Sequence, residues 1–238
     1  MLYWAANDIN LSREPVEVQA TEPYIVGGHC QSGYWVDANR KTTLDGLYAA
    51  GDVSGGAPYK FVSGCWAEGV IAARAAGEYV SQAKKITVSE EKIALEEART
   101  YQFLRHEKIR YPISPVEFEA LLQKIMDQYA GGASTGFEMN EEMLLRARER
   151  LNQLPKVLET LIASDMHQLM KAHEVVDRID VASVLVEHLL YRKETRWPSY
   201  QTRIDYPEKD DAHFLLFVNS RRDPQSGKIE MRTRPNIG

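Results

Sequence analysis

The segment from Thr43 to Ala76, TLDGLYAAGDVSGGAPYKFVSGCWAEGVIAARAA, constrains this chain more than any other. An apolar run reads as a strand that ends in Ala-Gly-Asp, a glycine-rich loop follows, and Ser63-Gly64-Cys65-Trp66 begins an amphipathic helix continuing from Ala67 to Val80. A strand ending at Gly51-Asp52 leaves a carboxylate at the carboxyl edge of a sheet, where open α/β sheets bind their ligands. The start of the following helix offers unbonded N–H groups and the positive end of a dipole, which favour negative charge.

This arrangement suits the second half of a flavin site. Asp52 can accept hydrogen bonds from ribityl or ribose hydroxyls, and small residues at Ser63 and Gly64 let a flat ring approach the backbone. The same residues also serve as a plain strand-to-loop turn and a helix start without a ligand. Gly27-Gly28 before His29 likewise permits close approach of a cofactor, and His29 can donate, accept or titrate near neutral pH. The GxGxxG fingerprint that cradles a dinucleotide pyrophosphate occurs nowhere in the sequence. The expectation is therefore part of an enzyme rather than a whole one, with the isolated chain binding FAD weakly or not at all.

Three zones are expected. Residues 1–82 read as the C-terminal portion of an FAD-binding α/β domain with the tail of a capping region, carrying TEPYIVGGH, GYWVDAN and GLYAAGD as strands. Residues 83–196 read as an antiparallel bundle of about four helices. Residues 197–238 read as an extended segment ending in two short strands joined at Asp-Pro-Gln-Ser-Gly. The fold class is α+β, mostly α.

Helix punctuation is legible in the middle zone. Ser89 caps a helix with an inward stripe of Ala94, Leu95, Ala98, Phe103 and Leu104. Ser114-Pro115 with Glu117 opens a second, whose stripe is Phe118, Leu121, Leu122, Ile125, Met126 and Tyr129, and Gly131-Gly132 ends it. Asn140 caps a third, with Met143, Leu144, Ala147, Leu151 and Leu154 inward and a kink or break at Pro155. The fourth spans about His167 to Tyr191, with Leu169, Ala172, Val176, Ile179, Ser183 and Leu190 as its stripe. His167, His173 and His188 read as bundle or surface residues.

Composition removes several function classes. A net charge of -5 gives no electrostatic reason for nucleic-acid or anionic-membrane binding. No apolar run approaches the roughly 18 residues of a membrane span, and the N-terminus has no signal-peptide pattern, so the cytoplasm is expected. The two cysteines, Cys30 and Cys65, are too few for a disulfide framework or an iron–sulfur cluster held by this chain alone. No zinc spacing, di-iron Glu-x-x-His pair or G-x-S-x-G elbow is present, so no metal is expected.

Four segments carry a family resemblance: TEPYIVGGH, GLYAAGDVSG, YKFVSGCWAEGVIAARAA and YRKETRWPSYQTRIDYPEKDDAHFLLFVNS. They resemble the C-terminal part of flavoprotein subunits of the succinate dehydrogenase and fumarate reductase superfamily. Within it they are most similar to the alpha subunits of adenylylsulfate (APS) reductase. Dicarboxylate enzymes of the superfamily place a His before the Tyr of the first segment and an Arg in the loop before the helix. Pro23 and Lys60 stand at those positions here, which disfavours fumarate chemistry. Tyr59 stands where APS reductases more often show His, and the segment between Val36 and Lys41 is shorter than theirs.

The resemblance implies an FAD-dependent oxidoreductase that converts APS and two electrons into sulfite and AMP through a flavin N5–sulfite adduct. It implies catalytic roles for His29 and Lys60, and adenine stacking for Phe61. Flavin contacts fall on Gly27, Gly28, Gly51, Asp52 and the backbone of Ser63, Gly64, Cys65 and Trp66. FAD would be held largely by the N-terminal half of the flavoprotein, and electrons would arrive from an iron–sulfur beta subunit. Self-association through apolar surface left without that half is a further expectation. A dicarboxylate enzyme and a non-catalytic helical docking module are the alternatives.

Overall fold

The structure is a computed structural model that describes residues 9–10, 13–14, 32–56, 61–104, 109–198 and 200–235. Among the described residues six helices run in order: α1 (Val62–Gln82), α2 (Glu90–Tyr101), α3 (Pro115–Tyr129), α4 (Glu141–Leu158), α5 (Met166–Tyr191) and the single-turn α6 (Asp211–Phe214). The described residues also form two small two-stranded sheets. Strands β1 (Glu138–Met139) and β2 (Thr202–Arg203) pair in parallel, and β3 (Leu216–Arg222) pairs antiparallel with β4 (Ile229–Pro235). The molecule is mostly α with small β elements, as the sequence predicts.

The core lies among α3, α4 and α5. Each helix starts at a side chain that satisfies a free amide: Ser114 accepts from Glu117, Asn140 from Met143 and Asp165 from Gln168. Ser114 and Glu117 form a reciprocal capping box with Pro115 in the first turn. Phe118, Leu122 and Ile125 from α3 meet Ala147, Leu151 and Leu154 from α4. From α5 come Leu169, Ala172, Val175, Ile179, Ala182 and Val186. Gly131, at φ +76°, turns the chain away after α3.

Four expectations need correction. Helix α4 runs through Pro155 to Leu158 without a break, at the loss of the one ladder bond that an amide at that position would give the Leu151 carbonyl. The buried stripe of α5 uses Val175 and Ala182, with Ser183 bonding back to the Ile179 carbonyl at 2.8 Å instead of packing. Helix α2 buries none of its residues, and Leu95 is exposed. It meets the bundle at its last turn and just beyond, where His173 Nε2 lies 2.8 Å from the Thr100 carbonyl and Phe103 enters the core. The packed bundle is thus one of three helices. Finally, GYWVDAN and GLYAAGD form single bridges, Tyr34 to Ser54, Val36 to Thr42 and Lys41 to Tyr48, rather than strands. TEPYIVGGH lies outside the described residues.

A polar knot joins α5 to the segment after it. Arg203, almost wholly buried, donates through Nη1 to the carbonyls of Leu189 and Arg192 at the end of α5. Its Nε and Nη2 grip Asp205 at 2.9 and 2.8 Å. Glu194 is buried beside it and accepts from Arg192, from Arg196 at 2.9 and 2.8 Å, and from the Asp210 amide at 2.9 Å. Burial alone would raise the Glu194 pKa, but these donors outweigh it and hold the carboxyl below its ordinary range. Arg234 closes the N-terminal residues onto the hairpin, its guanidinium 4.7 Å from both the Trp35 and Phe217 rings.

His188 gives the fold a pH dependence. It is half-buried on α5 with Nε2 3.0 Å from Ser220 Oγ on β3. Burial first, and then the Arg192 charge, push its pKa below the ordinary 6.5. The folded state therefore stays neutral while the unfolded chain takes up a proton. Stability from this group is complete above pH 6.5 and falls as pH drops through 6.5 toward the folded value. Glu194 and Asp205, depressed in the folded state, lose their contributions only below the ordinary carboxylate range near pH 4. Urea unfolding between about pH 7.5 and 5.5 should show wild type losing stability, and His188→Gln should flatten that slope.

Candidate functional site

Helix α1 begins one residue after Phe61, which is its N-cap and gives no side-chain cap bond. The helix starts at Val62, one residue before the Ser63-Gly64-Cys65-Trp66 opening read from the sequence. The amides of Val62, Ser63 and Gly64 precede the first intrahelical bond, which runs from Cys65 N–H to the Phe61 carbonyl at 2.9 Å. Phe61 and Trp66 are exposed by 66% and 73%.

Beside this helix start lies the three-residue turn Gly51–Val53, which carries the exposed Asp52. Gly51 sits at φ +73°, and a Cβ there would stand 3.1 Å from Cys65 Sγ. Only glycine meets both demands, the left-handed backbone and the close approach of α1. An open hollow of about 760 Å³ runs along the junction, lined by Asp52, Val62, Cys65, Trp66, Gly69, Val70 and Ala73. Its walls are largely apolar, with one carboxylate at the rim.

The other face of α1 is fastened to the chain before it. Tyr48 Oη donates to the Ala75 carbonyl at 3.3 Å, and Tyr79 Oη donates to Asp45 at 3.1 Å. Lys41 Nζ lies 2.7 Å from the same carboxylate. That pairing raises the Lys41 pKa and lowers that of Asp45. Closest to the turn, Glu68 is buried among these elements and accepts from the Gly51 amide at 2.9 Å and from Ser54 Oγ at 2.6 Å.

The structure thus brings Gly51, Asp52, Cys65 and Trp66 together, with Phe61, Ser63 and Gly64 at the same helix start. Gly27, Gly28, His29 and Lys60 lie outside the described residues. Glu68 and Arg40 were missed from sequence. The available signal was one acidic residue between Ala67 and Gly69 in a helix half, Val62 to Ala73, of otherwise small or apolar residues. Among the described residues, no helix is long and apolar enough to cross a membrane.

The described residues combine a helix start whose N-cap side chain gives no cap bond, an open apolar wall and a glycine turn bearing a carboxylate, a shape suited to a planar group with a polar edge. The family model described as fumarate reductase flavoprotein C-term matches residues 119–237, half of the chain. The chain belongs to that family. The alpha subunit of adenylylsulfate reductase from Megalodesulfovibrio gigas is 27% identical over 98% of the chain and 40% of that protein. A fumarate reductase flavoprotein subunit of Mycobacterium tuberculosis is 28% identical over 88% of the chain and 37% of that protein. The solved adenylylsulfate reductase of Archaeoglobus fulgidus superposes with a TM-score of 0.85 at 35% identity. That superposition covers 100% of the chain and 42% of the solved one. The chain spans about two fifths of the length of these relatives.

Proposed function

We propose that the chain is the C-terminal part of an FAD-dependent oxidoreductase of the APS reductase kind, interconverting APS with sulfite and AMP. What carries this reading is the match over the whole chain to an adenylylsulfate reductase, joined to the flat hollow at the uncapped start of α1. FAD, when bound, supplies the two-electron exchange.

The chain's own residues take these roles. The free amides opening α1, at Val62, Ser63 and Gly64, direct partial positive charge toward the edge of the ring where reduction places negative charge, while the Cys65 and Trp66 backbone continues the helix against the same face. Gly51 and Asp52, with Gly27 and Gly28, give the backbone close approach, and Asp52 accepts from cofactor hydroxyls. Phe61, exposed at the N-cap, presents a ring face to adenine. His29 and Lys60 serve the sulfate-derived group as proton carrier and cation. The rest of FAD is held by the N-terminal half of the flavoprotein, and an iron–sulfur beta subunit delivers electrons.

Similarity to fumarate reductase keeps a dicarboxylate substrate as the second reading. Substitution Phe61→Ala in the complete flavoprotein separates the two. Stacking on an aromatic ring contributes about 1–3 kcal/mol per base, so AMP affinity should fall by roughly 5- to 150-fold. Unchanged AMP affinity together with turnover of fumarate or succinate would favour the dicarboxylate.

A further inference from the structure

We propose that Glu68, paired with Arg40, is the positioning residue that locks the Asp52 turn to the start of α1; the proposal rests on the flavin reading above. Asp52 of the turn and one face of α1 line the hollow, and separate stretches of chain supply them. Their alignment therefore needs a tie, and Glu68 is placed to be that tie.

Glu68 projects from the second turn of α1 and is only 4% exposed. One oxygen, Oε2, accepts from both ends of the turn, the Gly51 amide at 2.9 Å and the Ser54 hydroxyl at 2.6 Å. Ser54 is itself buried, and its amide donates to the Gly51 carbonyl at 3.0 Å. Asp52 sits between these two anchored residues. A carboxylate bond of this kind is stronger than one between neutral groups, which suits a device that fixes geometry.

Arg40 supplies the countercharge. Its Nε stands 3.6 Å from Glu68 Oε2, beyond hydrogen-bond range but close enough for strong attraction in a buried setting. Arg40 adopts φ +63°, a left-handed backbone uncommon outside glycine, and its carbonyl accepts from the Ala49 amide at 3.0 Å. That contact lies two residues before Gly51, so the same residue that neutralises Glu68 also steadies the approach to the turn. Glu68 Oε1 and Arg40 Nε are buried without hydrogen-bond partners among the described residues. A pair in that condition stabilises a fold poorly compared with apolar packing. Its presence on a helix face otherwise formed by Ile71, Ala72 and Ala75 points to a geometric role.

Wild type, Glu68→Ala and the milder Ser54→Ala should be compared in two measurements. The first is hydrogen exchange at the Gly51 amide without flavin. The second is FAD affinity and flavin reduction potential in the complete flavoprotein. In Glu68→Ala, Gly51 exchange should quicken by about tenfold or more, because a charge-assisted bond is lost. The dissociation constant for FAD should rise by at least about tenfold, and the potential should move. Ser54→Ala should shift all three in the same direction by less, with the unfolding midpoint of the bundle unchanged in both variants. Unchanged Gly51 exchange overturns the proposal, as does faster exchange with wild-type FAD affinity and potential. A wild-type flavoprotein that takes up no FAD defeats the functional reading and with it the flavin clause; the exchange result then still decides whether Glu68 holds the turn.

Discussion

Replacing Arg203 by Met should destabilise the chain by about 3–5 kcal/mol, the cost typical of stripping one partner from a buried charge network. The guanidinium performs two tasks that no apolar side chain can share. It satisfies the carbonyls of Leu189 and Arg192, which the 26-residue α5 leaves without intrahelical donors at its end. It also neutralises Asp205, which accepts in addition from the Glu141 amide at 2.9 Å, the first residue of α4. One side chain thus ties the end of α5 to the start of α4. Arg203→Lys should recover only part of the loss, since a single ammonium cannot reproduce the two-pronged grip on Asp205. Thermal unfolding checks this, with a fall of about 10 °C expected for a chain of this size. A shift of a degree or two would show that the network is dispensable.

Phe118→Ala should cost a similar amount, about 3–5 kcal/mol, for a different reason. Phe118 is 0% exposed in the first turns of α3, within the cluster that includes Leu151, Leu161 and Val175. Truncation removes the transfer free energy of the ring and leaves a cavity that helices on three sides cannot fill. The control lies in the same turn: Val116 is 62% exposed, and Val116→Ala should change stability by less than about 0.5 kcal/mol. Urea midpoints measured side by side separate the two. Equal effects at both positions would mean that α3 does not face the core as described.

Local signals were legible and distant pairings were not. Ser89, Ser114 and Asn140 announce helices because a cap acts within three residues. The turn between β3 and β4 is equally local. The parallel pairing of Glu138 with Thr202 joins two-residue strands far apart in sequence, too short to leave an alternating pattern. Helix α2 has a cap and an apolar stripe, yet propensity cannot say whether a partner covers that stripe. In the candidate site, Gly51 and the helix start were readable from glycine spacing and small residues. Glu68 was not, since its meaning depends on the Gly51 amide and the Ser54 hydroxyl brought to it by folding. The long aromatic and charged segment after α5 supported the family resemblance, and the structure gives its physical content: Glu194, Thr195 and Arg203 are buried polar groups satisfied by the side chains of Arg192, Arg196 and Asp205 and by nearby backbone.

If the amides opening α1 face a flavin ring, as proposed, amide hydrogen exchange at Val62, Ser63 and Gly64 in the complete flavoprotein will report the contact. Saturation with FAD should slow exchange at these three positions while leaving the amides of α4 and α5 unchanged. Stoichiometric FAD binding with exchange at the α1 start as fast as in the flavin-free protein would contradict it.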